Sequence, residues 1–345
     1  MPSSDVAGAG ASRPAAGSAR PANPRPRVFV ARRIPATGLD RIVDACDATV
    51  WPGELPPSRD QLLASVAGCH GILTLLTDRV DEALLDAAGP QLRVVSNFAV
   101  GFDNVDVVAC TARGVRVGNT PGVLTETTAD LAFALLLASA RRIPEAMANV
   151  REGRWRTWDP LLLLGAEVHG ATIGIVGLGR IGQAVARRAA GFGMRVVYHG
   201  RTRAPGDLEA SLGATYVPMP ELLASSDFVT LHVSLNDQTR GLIGSDELRA
   251  MRRTAILVNT SRGPVVDTAA LVEALRAGTI AAPTAADRMY SRVLEQTGSD
   301  PLPYGIEPNR ATIDWLLDHA VSQHILDSSP SLESLFAEAT LGLTG

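Results

Sequence analysis

At 345 residues the chain is long enough for two domains, each with its own core, and its net charge of −4 gives no electrostatic reason to expect nucleic acid or an anionic membrane. All 32 residues of the lysine and arginine class are arginine, which excludes Schiff-base chemistry, pyridoxal-phosphate chemistry and a Walker-type phosphate loop, each of which needs a lysine amine. Cys46, Cys69 and Cys110 stand far apart with no CxxC pair. They read as small core residues in a reducing cytoplasm rather than as a zinc site or disulfide framework, and no metal is expected.

Residues 1–26 are a low-complexity run of Ala, Pro, Gly and Ser without the apolar stretch of a secretory signal, and they read as a disordered tail. Their prolines and glycines count against the amphipathic helix of a mitochondrial presequence, so the expected location is the cytoplasm. From Arg27 the short apolar runs RVFVAR, CHGILTLL, LRVVSNFA and VRVGNT alternate with helix-like segments such as TGLDRIVDA and DEALLDAA. That alternation predicts a parallel α/β unit over 27–121. The stretch 124–142, LTETTADLAFALLLASARR, predicts one long helix whose apolar run is too short to span a bilayer. A second α/β unit is expected over 122–286.

The second unit opens with the most specific motif in the chain. ATIGIVGLGRIG (171–182) runs from an apolar strand through a glycine turn into the helix QAVARRAAGFG, and the strand MRVVYHG (194–200) follows. This is the βαβ context of a dinucleotide site. Gly177 permits the tight turn, Gly179 lets backbone approach a pyrophosphate and Gly182 lets helix and strand pack closely. Leu178, Arg180 and Ile181 complete the loop, and the pyrophosphate is expected on the free N–H groups of the helix start. After the second strand come Gly200, Arg201, Thr202 and Arg203, with no acid before Asp207. A carboxylate there would hold the ribose 2′-OH of NAD, whereas guanidinium groups grip a 2′-phosphate. Arg201 and Arg203 therefore favour NADP(H), with NAD(H) as the alternative. Thr260, Ser261 and Arg262 follow the strand TAILVN, which puts them at the carboxyl end of the sheet.

Five blocks occur in order: SNFAVGFDNVD, NTPGVLTETTADLAFALLLASARR, GRWRTWDPLLLLGAEVHGATIGIVGLGRIG, LHVSLNDQTRGLI and VNTSRGPVVD. Over about residues 27–282 they resemble the D-isomer-specific 2-hydroxyacid dehydrogenases, most of all the glyoxylate/hydroxypyruvate reductase branch. The resemblance implies an α/β fold of two Rossmann-like/flavodoxin-like parallel-sheet domains joined by a long helix. The substrate domain would be 27–121 and the NAD(P)-binding domain 122–286. It also implies reduction of a small 2-keto acid to the D-2-hydroxy acid, and a homodimer built around the linking helix. The substrate carboxylate would rest on backbone amides of Ala99, Val100 and Gly101. Arg262 would bind and polarise the keto acid, since negative charge develops on its oxygen and a fixed guanidinium stabilises that charge. Thr260 and Ser261 would stand by the cofactor, and His232 would line its adenine side rather than act as an acid. Asp130 and Glu126 read as helix-surface or packing groups.

The family also uses a histidine in a Pro-His-Ile-Gly type block and a glutamate in a Leu-Asp-Val-Phe-Glu type block, both expected after Ile280. The chain instead reads AAPTAADRMYSRVLEQTG, with Asp287 near the expected aspartate but lacking its apolar strand. His319 and His324, five residues apart, do not share a helix face and lack the family's flanking residues. From Asp287, DPLPYGIEPNRATIDWLLDHAVSQ and LESLFAEAT resemble the C-terminus of the 4,5-dihydroxyphthalate decarboxylase group. Residues 287–345 thus read as an atypical segment in place of the family's last strands and return helix. The expectation is an NADPH-dependent reductase whose turnover is impaired. The alternatives are a non-catalytic dinucleotide-binding remnant of a chimeric chain and a decarboxylase-like or solute-binding protein.

Overall fold

The computed structural model describes residues 25–277 and the isolated positions Asp314, Leu317, Val321, Ser328 and Pro330. Residues 1–24 of the tail expected over 1–26, together with Asp287, His319, His324 and nearly all of the segment from 287, lie outside the described residues. The chain divides between Thr120 and Pro121 into two compact units.

In the first unit β1 (Arg27–Val30), α1 (Ala36–Ala45), β2 (Asp47–Val50), α2 (Arg59–Val66), β3 (Gly71–Thr74), α3 (Glu82–Ala88), β4 (Val94–Asn97), α4 (Val107–Ala112) and β5 (Arg116–Gly118) follow in turn. All strand pairs are parallel, in the order β2-β1-β3-β4-β5, which is the flavodoxin-like arrangement. β3 is buried along its whole length, so GILT is a continuous apolar run and does not alternate. Phe29, Ile72, Leu84 and Val95 lie at the centre of the core. Three helices start on side-chain caps: Ser58 in a capping box with Gln61, Asp81 and Asp106.

The second unit begins with α5 (Thr125–Ala140) and α6 (Ile143–Arg151) and continues with β6 (Thr172–Val176), α7 (Arg180–Gly191), β7 (Arg195–His199), α8 (Gly206–Leu212), β8 (Ala214–Tyr216), α9 (Met219–Ser225), β9 (Phe228–Leu231), α10 (Ser245–Ala250), β10 (Ile256–Asn259) and α11 (Thr268–Arg276). Its sheet is again parallel, in the order β10-β9-β6-β7-β8. The first strand sits at the centre and strand order reverses between β6 and β9, as in a Rossmann sheet. Ligands of such sheets bind beyond the carboxyl ends of the strands at that reversal.

The expected single helix over 124–142 stops earlier. Arg142 takes a left-handed conformation (φ 52°) and Pro144 follows at the start of α6. Proline has no N–H to donate to the carbonyl of Ala140 four residues back and its ring would clash with it, so α5 ends and the chain restarts. One face of α5 carries Ala129, Ala132, Phe133 and Leu136 into the core around Ile173 and Ile175, with Phe133 stacked on Phe192 at 5.4 Å. Glu126 and Asp130, on its polar side, pair with Arg188 of α7 at 2.8 and 2.5 Å. No helix among the described residues is long and apolar enough to cross a membrane. Cys69 and Cys110 are buried free thiols, and burial raises both above the ordinary cysteine range; Cys46 is only half-buried, so it is less of a core residue than its sequence context implies.

Candidate functional site

The glycine turn occupies the sheet reversal. Gly177 leaves β6 with φ 97°, a conformation that side chains resist, and its N–H donates to the His199 carbonyl at 2.8 Å. A Cβ at Gly177 would meet the His232 backbone at 2.9 Å, and one at Gly182 would come within 2.2 Å of the Gly177 carbonyl oxygen. Both glycines are thus required by backbone packing. Gly179 differs: a Cβ there would meet nothing within 4 Å. Gly179 is the N-cap of α7 and supplies no side-chain cap, so the first amides of a twelve-residue helix, those of Arg180, Ile181 and Gly182, have no backbone partner among the described residues and stand at its positive dipole end. Arg180 is exposed there and makes no ion pair among the described residues, and the Leu178 carbonyl accepts from the Gln183 side chain at 3.2 Å.

His232 follows β9 on the other side of the reversal. Its Nε2 lies 2.8 Å from the Thr230 hydroxyl, and burial pushes its pKa down to about 4. It is therefore a neutral imidazole at physiological pH, suited to line a ligand and unsuited to give up a proton.

At the end of β7 the two arginines are not equivalent. Arg201 is exposed and has no ion-pair partner among the described residues. Arg203 is already paired, its Nε and Nη2 donating to the two oxygens of Glu209 at 3.0 and 2.9 Å. Glu209 also accepts from the buried Tyr198 hydroxyl at 2.6 Å. The Arg203 bond first, then that from Tyr198, holds the Glu209 carboxyl below its ordinary range, while burial followed by the Glu209 bond raises the Tyr198 phenol. The nearest relevant acid is Glu209, brought back by α8, not Asp207. Gly200 and Thr202 lie in the same loop, and the Gly200 carbonyl accepts a long bond from Tyr216 at 3.5 Å.

Beyond β10 the backbone is wrapped around one side chain. The Asn259 amide donates to the Arg262 carbonyl at 2.8 Å, and its oxygen accepts from the Ser261 N–H and hydroxyl at 3.0 and 2.8 Å. This Asx-type turn fixes residues 259–262. Arg262 is half-buried and one of its Nη groups donates to the Ser261 carbonyl at 3.0 Å. The Thr260 hydroxyl is buried and has no hydrogen-bond partner among the described residues. A buried polar atom left over in an otherwise satisfied turn is what a ligand-binding position looks like before the ligand arrives.

In the first unit, the loop after β4 is held from beneath by buried amides. Asn97 is fully buried and donates to the Gly101 carbonyl at 2.9 Å, while its oxygen accepts from Thr74 at 3.1 Å. Asn104 donates to the carbonyls of Leu75 and Asp78 at 2.9 and 2.8 Å, and Asn119 donates to the Val100 carbonyl at 2.8 Å. The loop's carbonyls are therefore tied down, leaving the amides of Val100 and Gly101 without a partner among the described residues. Ala99 is the exception. Its N–H donates to the Asn97 carbonyl at 2.8 Å, so this turn removes it from the set of three amides expected to receive an anion. The sequence reading did not assign Asn97, Asn104 or Asn119; the signal for Asn97 is an amide ending the otherwise apolar strand VVSN, since a buried amide needs partners.

Residues 133–300 match the family described as D-isomer specific 2-hydroxyacid dehydrogenase, NAD binding domain. Over 258 residues the chain is 54% identical to a glyoxylate reductase from Korarchaeum cryptofilum, a match covering 74% of this chain and 77% of that one. The chain belongs to the D-isomer specific 2-hydroxyacid dehydrogenase family. Among solved structures of similar proteins, one from Thermus thermophilus is 48% identical and matches 72% of this chain and 78% of its own with a TM-score of 0.67. A glyoxylate reductase from Paecilomyes thermophila is 32% identical, matching 75% of this chain and 80% of its own with a TM-score of 0.66. The dehydrogenase is thus an oxidoreductase with the NAD-binding domain of its family, and its uncapped α7, the open space at Gly179 and the orphaned Thr260 hydroxyl fit a dinucleotide. Among the described residues no group of His, Cys, Asp or Glu is arranged to hold a metal ion.

Proposed function

We propose that this dehydrogenase is an NADP(H)-dependent reductase of a small 2-keto acid, glyoxylate or hydroxypyruvate, and forms the D-2-hydroxy acid. Its glyoxylate reductase relatives support the substrate class. The observation that carries the reading is the bare N-terminus of α7 at the sheet reversal, with arginines and no carboxylate following β7 directly. When bound, the dinucleotide supplies the hydride for the keto carbon. The amides of Arg180, Ile181 and Gly182 take its pyrophosphate, and Gly177, Leu178 and Gly179 let the backbone come close. Arg201 and Arg203, carried by Gly200 and Thr202, face the 2′-phosphate. His232 lines the adenosine side as a neutral ring, and Thr260 and Ser261 serve the nicotinamide side. In the first unit the Val100 and Gly101 amides suit a carboxylate, and in the second Arg262 suits the charge that grows on a keto oxygen. NAD(H) remains the alternative cofactor.

Proton delivery is the weak step in this reading, because neither the histidine block nor the glutamate block stands after Ile280. Loss of a general acid lowers a rate by about 10²–10⁴-fold. The same lack favours a second reading, a dinucleotide-binding remnant without turnover. The likeness of the segment from Asp287 to decarboxylases adds no decarboxylase site to either. We place the protein in the cytoplasm as a homodimer, supported by apolar side chains left exposed on and after the linking helices, including Leu131, Leu135, Met147, Val150, Trp155 and Leu161.

Buffer catalysis tests the missing acid. At fixed pH and ionic strength, oxidation of NADPH with hydroxypyruvate is expected to rise in proportion to added imidazolium, which replaces the absent histidine. A fast rate indifferent to imidazolium would mean that the chain supplies its own acid. No oxidation at any imidazolium concentration, from a protein that binds NADPH, would leave the remnant reading.

A further inference from the structure

We propose that Glu209 is a specificity-determining residue: held by the Tyr198 hydroxyl, it presents the Arg203 guanidinium, already oriented, to the 2′-phosphate of NADP(H). The proposal rests on the NADP(H) reading above. Arg203 stands in an exposed loop, its side chain 67% accessible, where an arginine ordinarily samples many rotamers. Here one edge of the guanidinium is bound, Nε and Nη2 making two parallel bonds to Glu209. The other edge, Nη1 with the second hydrogen of Nη2, has no partner among the described residues, and that edge suits two oxygens of a phosphate.

The holding carboxylate is itself immobile. Glu209 projects from α8 with its side chain only 12% accessible, and it accepts from a fully buried phenol. The same Tyr198 oxygen accepts from the Ala204 N–H at 2.7 Å, which pins the backbone one residue past Arg203. Tyr198 is fixed in turn by edge-on packing against Tyr216 at 5.4 Å. A single phenol thus fixes both the loop and the carboxylate that aims its arginine. Glu209 also places a negative charge near the phosphate, so orientation and charge oppose each other. The exposed setting decides between them, because solvent screens the more distant carboxylate while the ordering of a mobile side chain is gained in full. Arg201, with no such holder, contributes charge without orientation.

The test measures dissociation constants for NADPH and NADH on the full chain, for the wild type and for Glu209→Gln, Tyr198→Phe and Arg203→Ala, each shown by circular dichroism to be folded. Glu209→Gln is expected to weaken NADPH by roughly tenfold, the loss of one ordered charge-assisted pair, and to leave NADH within about twofold. Tyr198→Phe should act in the same direction by less. In the Arg203→Ala background Glu209→Gln should have no further effect on NADPH. Tighter NADPH binding by Glu209→Gln would show that the carboxylate only subtracts charge and would overturn the proposal. Equal losses for both cofactors would overturn it too, as the mark of a purely structural role in α8. A wild type that prefers NADPH, with Glu209→Gln unchanged, defeats the role of Glu209 alone. A wild type without preference defeats the NADP(H) reading itself and the proposal with it.

Discussion

Replacing Arg262 by leucine is expected to lower kcat/KM for glyoxylate and hydroxypyruvate by about 10³-fold, while the dissociation constant for NADPH changes by less than about threefold. The guanidinium is asked to meet charge that exists on the keto oxygen mainly in the transition state, so its loss falls on kcat as well as KM. Apart from the Arg262 Nη bond to the Ser261 carbonyl, the turn that carries it is closed by groups other than its side chain. Asn259 bonds the Arg262 carbonyl and the Ser261 N–H and hydroxyl, and the chain is extended at Arg262 (φ −141°), a conformation open to any residue. Val265, just beyond, is fully buried and anchors the segment through its carbonyl, which accepts from Ile243 at 3.1 Å. Arg262→Leu should therefore fold with an unchanged melting temperature. Steady-state kinetics beside a cofactor titration checks this. A loss confined to NADPH affinity would move Arg262 from the substrate to the cofactor.

The second large effect separates two glycines of one turn. Gly179→Ala is expected to keep the melting temperature within a degree or so and to weaken NADPH by tenfold or more. The added methyl meets no protein atom within 4 Å and enters the space that a pyrophosphate needs. Gly182→Ala should do the opposite first. Its Cβ would lie 2.2 Å from the Gly177 carbonyl oxygen, a backbone atom that cannot swing away, so α7 must lift from β6 at a cost of about 1–3 kcal/mol. Thermal unfolding and NADPH titration of both variants give the comparison. An unweakened Gly179→Ala would mean that nothing binds over that turn.

The glycine spacing was the easiest part to read, since the strand, the turn and the helix start lie within twelve residues. The central strands were equally plain: β3 and β9 are buried from end to end and appear as unbroken apolar runs. β2 and β8 escaped notice because both are sheet edges. DATV alternates exposed and half-buried positions, and ATY is only three residues long, so neither produces a run. The end of α5 was missed where propensity continues through Arg141 and Arg142 but Pro144 overrides it.

At the site, local reading failed wherever a partner came from another element. No acid stands between β7 and Asp207 in the sequence, and the carboxylate that reaches back to Arg203 is that of Glu209, two residues further along α8. Ala99 was named with Val100 and Gly101 because the family resemblance implies that loop, but its amide turns inward to Asn97, a fact of backbone direction that composition does not encode. Burial lowers the His232 pKa to about 4, an effect that sequence alone does not reveal.

The central claim is most directly tested by the absorbance of NADPH at 340 nm when the purified chain is given hydroxypyruvate or glyoxylate, with NADH run alongside. The account predicts oxidation that depends on the keto acid, is slow, and is faster with NADPH than with NADH at equal concentration. Oxidation that favours NADH, or none at all from a folded chain that also fails to bind NADPH, would contradict it.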